Sequence, residues 1–229
     1  SNSFRKSFNF SSTHFWYSTP VSNIFKQIII KSLLAVGIKP NRNFLNVLFL
    51  QIRMSFFGRL DKNLSFTIIA NNCIAGTIYQ DLKRQYQSPF VGLYILPSDF
   101  VRLCGSLEEY LSYPLLRYEL SDSEFPVGLL KDVKIYFKHY DSFENAKNSW
   151  ERRIKRIDFE NIFLILVQRD GCTFDDMEKF DNLKFRNKLI LSSKNYPQLN
   201  SLFVLKAFEG EHEVGNVLEF TGKVFGIRF

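Results

Sequence analysis

Three polar turns hold most of the residue types that could do chemistry, and each follows an apolar run. The first is Arg169-Asp170-Gly171-Cys172-Thr173, after "NIFLILV". An arginine and an aspartate at the end of a strand suit substrate positioning, or proton removal by the carboxylate. Cys172 stands just before a helix start, where the helix dipole would lower a thiol pKa. The competing structural account makes Cys172 a small packed residue and Thr173 an N-cap, with Asp176 three residues on.

The second turn is Lys138-His139-Tyr140-Asp141-Ser142. A histidine can act as a general base near neutral pH, a role open to His139 with Asp141 as its orienting group. Asp141 is equally a natural helix cap. The other two histidines are less well placed: His14 lies in an irregular arm and His212 in the charged stretch "EGEHE". The third turn is Asn71-Asn72-Cys73-Ile74-Ala75-Gly76-Thr77. Amides and small residues ahead of a helix can receive a phosphate or carboxylate on backbone N–H groups. Asn71 and Asn72 are therefore candidate substrate-binding residues, or merely a helix cap. The turn lacks the Gly-Lys-Ser/Thr of a phosphate-binding loop, and no G-x-G-x-x-G occurs.

A fourth group lies on one helix, "FENAKNSWERRIKRI". Phe143, Ala146, Trp150, Ile154 and Ile157 form its apolar stripe, and Arg152, Lys155 and Arg156 its solvated side. Arg153 borders the stripe, where a guanidinium can reach a carboxylate or phosphate. Signals for metal are weak. Asp122-Ser123-Glu124 and Asp158-Phe159-Glu160 have spaced acids but no preceding apolar strand, so no metal ligand is assigned. No H-E-x-x-H, G-x-S-x-G or S-x-x-K pattern appears, and no cofactor can be named.

Strands and helices must alternate to carry these turns. Short apolar runs at "LSFTIIA", "FVGLYIL", "DVKIYFKHY", "NIFLILV", "NKLILSS" and "SLFVLKAF" read as strands, with "LRYEL" a short edge strand. Helices are expected from about Gly76 to Tyr86, from Pro97 through Leu111, from Asp141-Ser142 to Arg156 and from Thr173 to Phe180. The pattern predicts an α/β, Rossmann-like layered fold, with a mostly parallel sheet flanked by helices. An N-terminal helical arm (residues 1–63, with helices over 22–36 and 42–58) would pack on a core of residues 64–229. A β-rich C-terminal tail would end in a hairpin turning at Gly222. The whole reads as one compact domain. Two units, "IIANNCIAGTIYQDL" and "ILVQRDGCTFDDMEKF", share the outline of strand, cysteine-bearing turn and helix.

Composition narrows the class. In 229 residues there are 30 Lys and Arg against 23 Asp and Glu, a net charge of +7. This surplus suits solubility or an anionic small-molecule substrate such as a sugar nucleotide. Nucleic acid is disfavoured, because the basic residues form no dense stripe and no reader motif is present. The three cysteines have no C-x-x-C spacing, which fits a reducing cytoplasm. No secretory leader pattern is read. The longest apolar tract, "FLNVLFLQI", is too short to span a bilayer. The helix over 42–58 leaves room for peripheral membrane contact. Oligomeric state is not legible.

The runs "NNCIAG", "VGLYILPSDF", "HYDSFENAKNSWERRIKRI" and "RDGCT", with "FDNL" and "NK" beyond, resemble a bacterial family of unknown function described as exopolysaccharide biosynthesis proteins. The resemblance covers Ser65 to Tyr196. Asn71, Asn72, Cys73, Asp99, His139, Tyr140, Trp150, Arg153, Arg169, Asp170, Gly171 and Cys172 match its motif positions. Ile74-Ala75 depart from the family's bulkier or glycine-richer stretch, which puts the first turn's binding role in question. The resemblance implies work on surface polysaccharide. The expected activity is a glycosyltransferase-like transfer of a sugar or substituent from an activated anionic donor. His139 or Asp170 would be the base, Arg153 and Arg169 would meet donor phosphate, and Asn71 and Asn72 would orient the donor. A non-catalytic carbohydrate- or nucleotide-binding module of an assembly complex is the alternative.

Overall fold

Alternating inward and outward side chains on one six-residue strand set the architecture. In Ile162–Val167, Leu164 and Leu166 enter one apolar cluster while Ile165 and Val167 enter another. A strand buried on both faces must have layers on both sides. The computed structural model describes residues 65–216. The expected N-terminal arm, its two helices and the tail hairpin lie outside the described residues.

Four parallel strands form the main sheet. They are β1 (Thr67–Ala70), β5 (Ile162–Val167), β6 (Asn187–Ser192) and β7 (Leu202–Val204), side by side in that order. Ala70 pairs with Ile165 and Val167 with Leu191. A second, antiparallel sheet runs β2 (Leu115–Tyr118), β3 (Val127–Leu130), β4 (Val133–Tyr136). The fold is therefore α/β, with a parallel sheet, flanking helices and a small antiparallel sheet. Among the described residues, no helix is long and apolar enough to cross a membrane.

The helices divide between the two faces. α1 (Ile74–Asp81) covers one through Ile74, Ala75 and Tyr79, with Phe208 and Val214 beside it. The other is covered by α2 (Pro97–Gly105), α3 (Leu107–Ser112), α4 (Phe143–Ile154) and α5 (Phe174–Asp181). α4 buries Phe143, Ala146 and Trp150, the stripe expected from its spacing. Each of the two large rings contributes about 1.5–3 kcal/mol of transfer free energy. The cap of α4 is Ser142, whose hydroxyl accepts from Asn145 N–H, and Asp141 is exposed beside it.

Four expectations are corrected. The stretch 90–96 is not a strand, since Gly92 takes φ +76° and breaks the extended path. It forms a single antiparallel bridge, Tyr94 with Tyr136. The β4 stretch belongs to the antiparallel meander instead of the parallel sheet, because β3, a short run holding Gly128, pairs beside it. The helix from Pro97 ends at Gly105, and Ser106 at φ −139° separates it from α3. The α1 helix is also shorter than expected, stopping at Asp81.

Residues 87–95 tie the two sheets together. Ile95 N–H donates to the Asn71 carbonyl at the end of β1, and Tyr94 exchanges two 2.9 Å backbone bonds with Tyr136. This segment brings the end of β4 to the end of β1.

Candidate functional site at the strand ends

β1 and β5 are neighbours, so their following turns emerge side by side at the carboxyl edge of the sheet. Asn71, the first residue past β1, is buried. Its Nδ2 donates to the Val167 carbonyl at 3.1 Å, and its Oδ1 accepts from Val167 N–H at 2.9 Å. That amide extends the sheet ladder by one rung. Asn72 Oδ1 accepts from Ile74 N–H and starts α1.

The β5 turn is built on two left-handed residues. Asp170 has φ +55° and Gly171 φ +79°, and Cys172 N–H closes on the Arg169 carbonyl at 3.2 Å. Two positive φ values in succession define a type I′ turn, for which Asp-Gly is a favoured pair. The turn holds Asp170 exposed at its tip. Arg169 Nε pairs with Asp170 Oδ2 at 3.0 Å, and Arg169 Nη1 donates to the Gly215 carbonyl at 3.1 Å. Glu213 Oε2 accepts from Asp170 N–H at 2.9 Å. The sequence contains no short-range sign of that contact, because 43 residues separate the partners.

Residues 210–215 form a strap over the ends of β5 and β6. Buried Gln168 holds it: its Nε2 donates to the His212 carbonyl, and its Oε1 accepts from Ser193 N–H and the Ser192 and Ser193 hydroxyls. Val214 N–H donates to the Gln168 carbonyl at 2.8 Å. The strap lies over the ends of β5 and β6, and its Glu213 and Gly215 reach the β5 turn.

His139 follows β4. Its backbone N–H donates to the Gly92 carbonyl at 3.1 Å. A β-carbon on Gly92 would meet Tyr140 at 3.2 Å and His139 Cβ at 3.4 Å, so only glycine admits this approach. The imidazole is exposed and has no hydrogen-bonding partner among the described residues, Asp141 included. Cys73 Sγ lies 3.6 Å from the Leu93 carbonyl. Burial pushes the Cys73 thiol pKa up, while the positive charges of Lys138 and Arg169 act against that rise. Those two cations thus stand near one thiol at the edge. Tyr94 is stacked on Tyr136 at 4.5 Å, and its pKa is raised by burial first, then by Tyr136 and then by Asp170.

The edge therefore gathers Asn72, Cys73, Tyr94, Lys138, His139, Arg169 and Asp170. Lys138, Tyr94 and Glu213 were not singled out from sequence. Cys172 is no activated thiol: burial, with Asp176 and Glu213 adding negative charge, pushes its pKa up to about 12. Arg153 stands elsewhere. It is buried on α4, where Nη1 donates to Tyr140 Oη at 2.6 Å and contacts the Val91 carbonyl at 3.4 Å. Asp158, in one of the acid pairs, caps a short 3₁₀ turn and accepts from Glu160 N–H.

Residues 44–229 match a domain of unknown function, DUF1919. The chain belongs to the DUF1919 family. Within that family's span lie both sheets and the whole strand-end group. An uncharacterized protein of Haemophilus influenzae is 39% identical over 160 residues, covering 70% of this chain and 77% of its own length. The DUF1919 segment thus has a bacterial relative, itself uncharacterized.

Proposed function

We propose that this DUF1919 protein is an enzyme of surface-polysaccharide biosynthesis that transfers a sugar or substituent from an activated anionic donor. The observation that carries this reading is the meeting of the β1 and β4 turns at Gly92 and Leu93, beside the turn of β5, the strand next to β1. Ligands of parallel α/β sheets sit beyond the carboxyl ends of the strands. Here that position offers a base, a carboxylate and two cations within one group. The motif resemblance to exopolysaccharide proteins supports the substrate class.

His139 takes the proton from an acceptor hydroxyl, for which its exposed, unpartnered imidazole is suited. The acceptor oxygen then forms the new bond to the donor carbon, and the bond from that carbon to the leaving oxygen breaks. The leaving group departs as an anion beside Lys138 and Arg169. Asp170, paired with Arg169, holds that guanidinium in place and is the second candidate base. Asn72 orients the donor at the β1 turn.

The test is incubation with a panel of sugar nucleotides and acceptor saccharides, reading release of the nucleotide leaving group. Turnover by the native chain and its loss in His139→Ala support the reading. An unchanged rate in His139→Ala removes that role. Stabilisation by sugar nucleotides without any product would favour a binding module instead.

A further inference from the structure

Four arginines line a cleft between the segment after α1 and the end of α4. Arg84, Gln85 and Tyr86, following α1, face Arg152, Arg153 and Arg156 from the end of α4, around a volume of about 310 Å³. The cleft is held from within. The Arg153 guanidinium lies 5.0 Å from the Tyr86 ring centre, with Nη1 tied to Tyr140 and Val91. Arg156 Nη1 donates to the Tyr86 carbonyl at 3.3 Å, and Arg152 Nη2 to the Ser149 hydroxyl at 3.3 Å. The Arg84 guanidinium lies 5.7 Å from the Phe66 ring centre.

Among the described residues, Arg152, Arg153 and Arg156 form no ion pair with a carboxylate. Each commits one nitrogen to hydrogen bonds within the protein, leaving most of its five N–H donors for something else. Like charges gathered in a concave, partly desolvated place focus a positive field that attracts anions. The strand-end group differs, since Asp170 and Glu213 stand beside its cations.

We propose that this cleft binds the diphosphate group of a small molecule. Planar guanidinium forks match phosphate oxygens two at a time, and several forks suit two linked phosphates better than one carboxylate. The volume equals roughly ten waters, more than a single phosphate fills. Tyr86 fixes the Arg153 plane, so the donors are arranged before the anion arrives. The proposal does not rest on the transfer reaction, because occupancy of the cleft is read without turnover.

The experiment is calorimetric titration of the full chain with inorganic pyrophosphate and with uridine diphosphate, at constant ionic strength. The variants are Arg152→Glu and Arg156→Glu; Arg153 is spared because its buried side chain supports the fold. Lys184→Glu, an exposed change of equal charge, is the control. Circular dichroism and Tm establish that each variant folds. Pyrophosphate should bind, and each arginine reversal should weaken binding at least about tenfold. Lys184→Glu should bind as the parent does. Equal affinity for both ligands assigns the site to the diphosphate alone. Tighter uridine diphosphate shows that the nucleoside adds contacts. No binding at millimolar pyrophosphate overturns the proposal, as does an equal loss in Lys184→Glu, which would mean only diffuse attraction.

Discussion

The Asn71 side-chain amide and the backbone of Val167 close two hydrogen bonds on each other, at 2.9 and 3.1 Å, across 96 residues of chain. The pair locks the turn after β1 to the last residue of β5. Any ligand at the strand ends meets two turns already joined at their base.

Removing that amide leaves a buried N–H and a buried C=O unpaired. Asn71→Ala should cost about 2–6 kcal/mol in urea denaturation, from about 1–3 kcal/mol for each orphaned group. Asn71→Asp keeps the acceptor for Val167 N–H but sets an oxygen against the Val167 carbonyl. It should also destabilise, and more so as pH rises and the carboxyl ionises. A loss below about 0.5 kcal/mol in Asn71→Ala would mean that water replaces both bonds.

Gln168 should control the strap over residues 210–215. Its Nε2 reaches the His212 carbonyl while its Oε1 gathers Ser192 and Ser193. Gln168→Ala should cost about 2 kcal/mol and loosen the strap. Limited digestion with a glutamate-specific protease reads this directly, through faster cleavage after Glu209, Glu211 or Glu213. Equal cleavage rates in parent and variant would show that Ser193 and Val214 suffice as anchors.

α5 begins with a complete capping box. Thr173 Oγ1 accepts from Asp176 N–H at 3.1 Å, and Asp176 Oδ2 accepts from Thr173 N–H at 2.9 Å. Thr173→Ala should cost about 1 kcal/mol. For a domain of this size Tm should fall by about 2–4 °C in a thermal melt. Thr173→Ser, which keeps the acceptor, should lose less than half of that.

Cys172 should be nearly inert to alkylation. Burial, then the negative charges of Asp176 and Glu213, push its pKa from an ordinary 9.0 up to about 12. At pH 8 the folded thiol should label about a thousandfold more slowly than in the unfolded chain, followed by peptide mass spectrometry. The sign for stability follows. The folded state holds this proton more tightly, so the contribution is complete below pH 9 and is lost as pH rises toward 12. Labelling as fast as in urea would remove the burial argument.

The sequence by itself determined the features whose causes lie within a few residues. The unbroken apolar run Ile162–Val167 is of the kind found in central parallel strands, and it sits between β1 and β6. Thr173 and Asp176 announced their capping box by spacing alone, and Phe143, Ala146 and Trp150 announced the buried face of α4. Tertiary structure decided what depends on distant partners. Periodicity marked Phe90 to Leu96 as a strand, yet Gly92 at positive φ turns it into the seam that receives His139. Asn71 was chemically free to bind a ligand until Val167 claimed its amide. Arg153 was grouped with Arg169 by charge, but packing against Tyr86 and Tyr140 drew it into the cleft of four arginines. Side-chain type sets what a group can do; which buried donors and acceptors lie within 3 Å of it is settled only when segments far apart in the chain pack together.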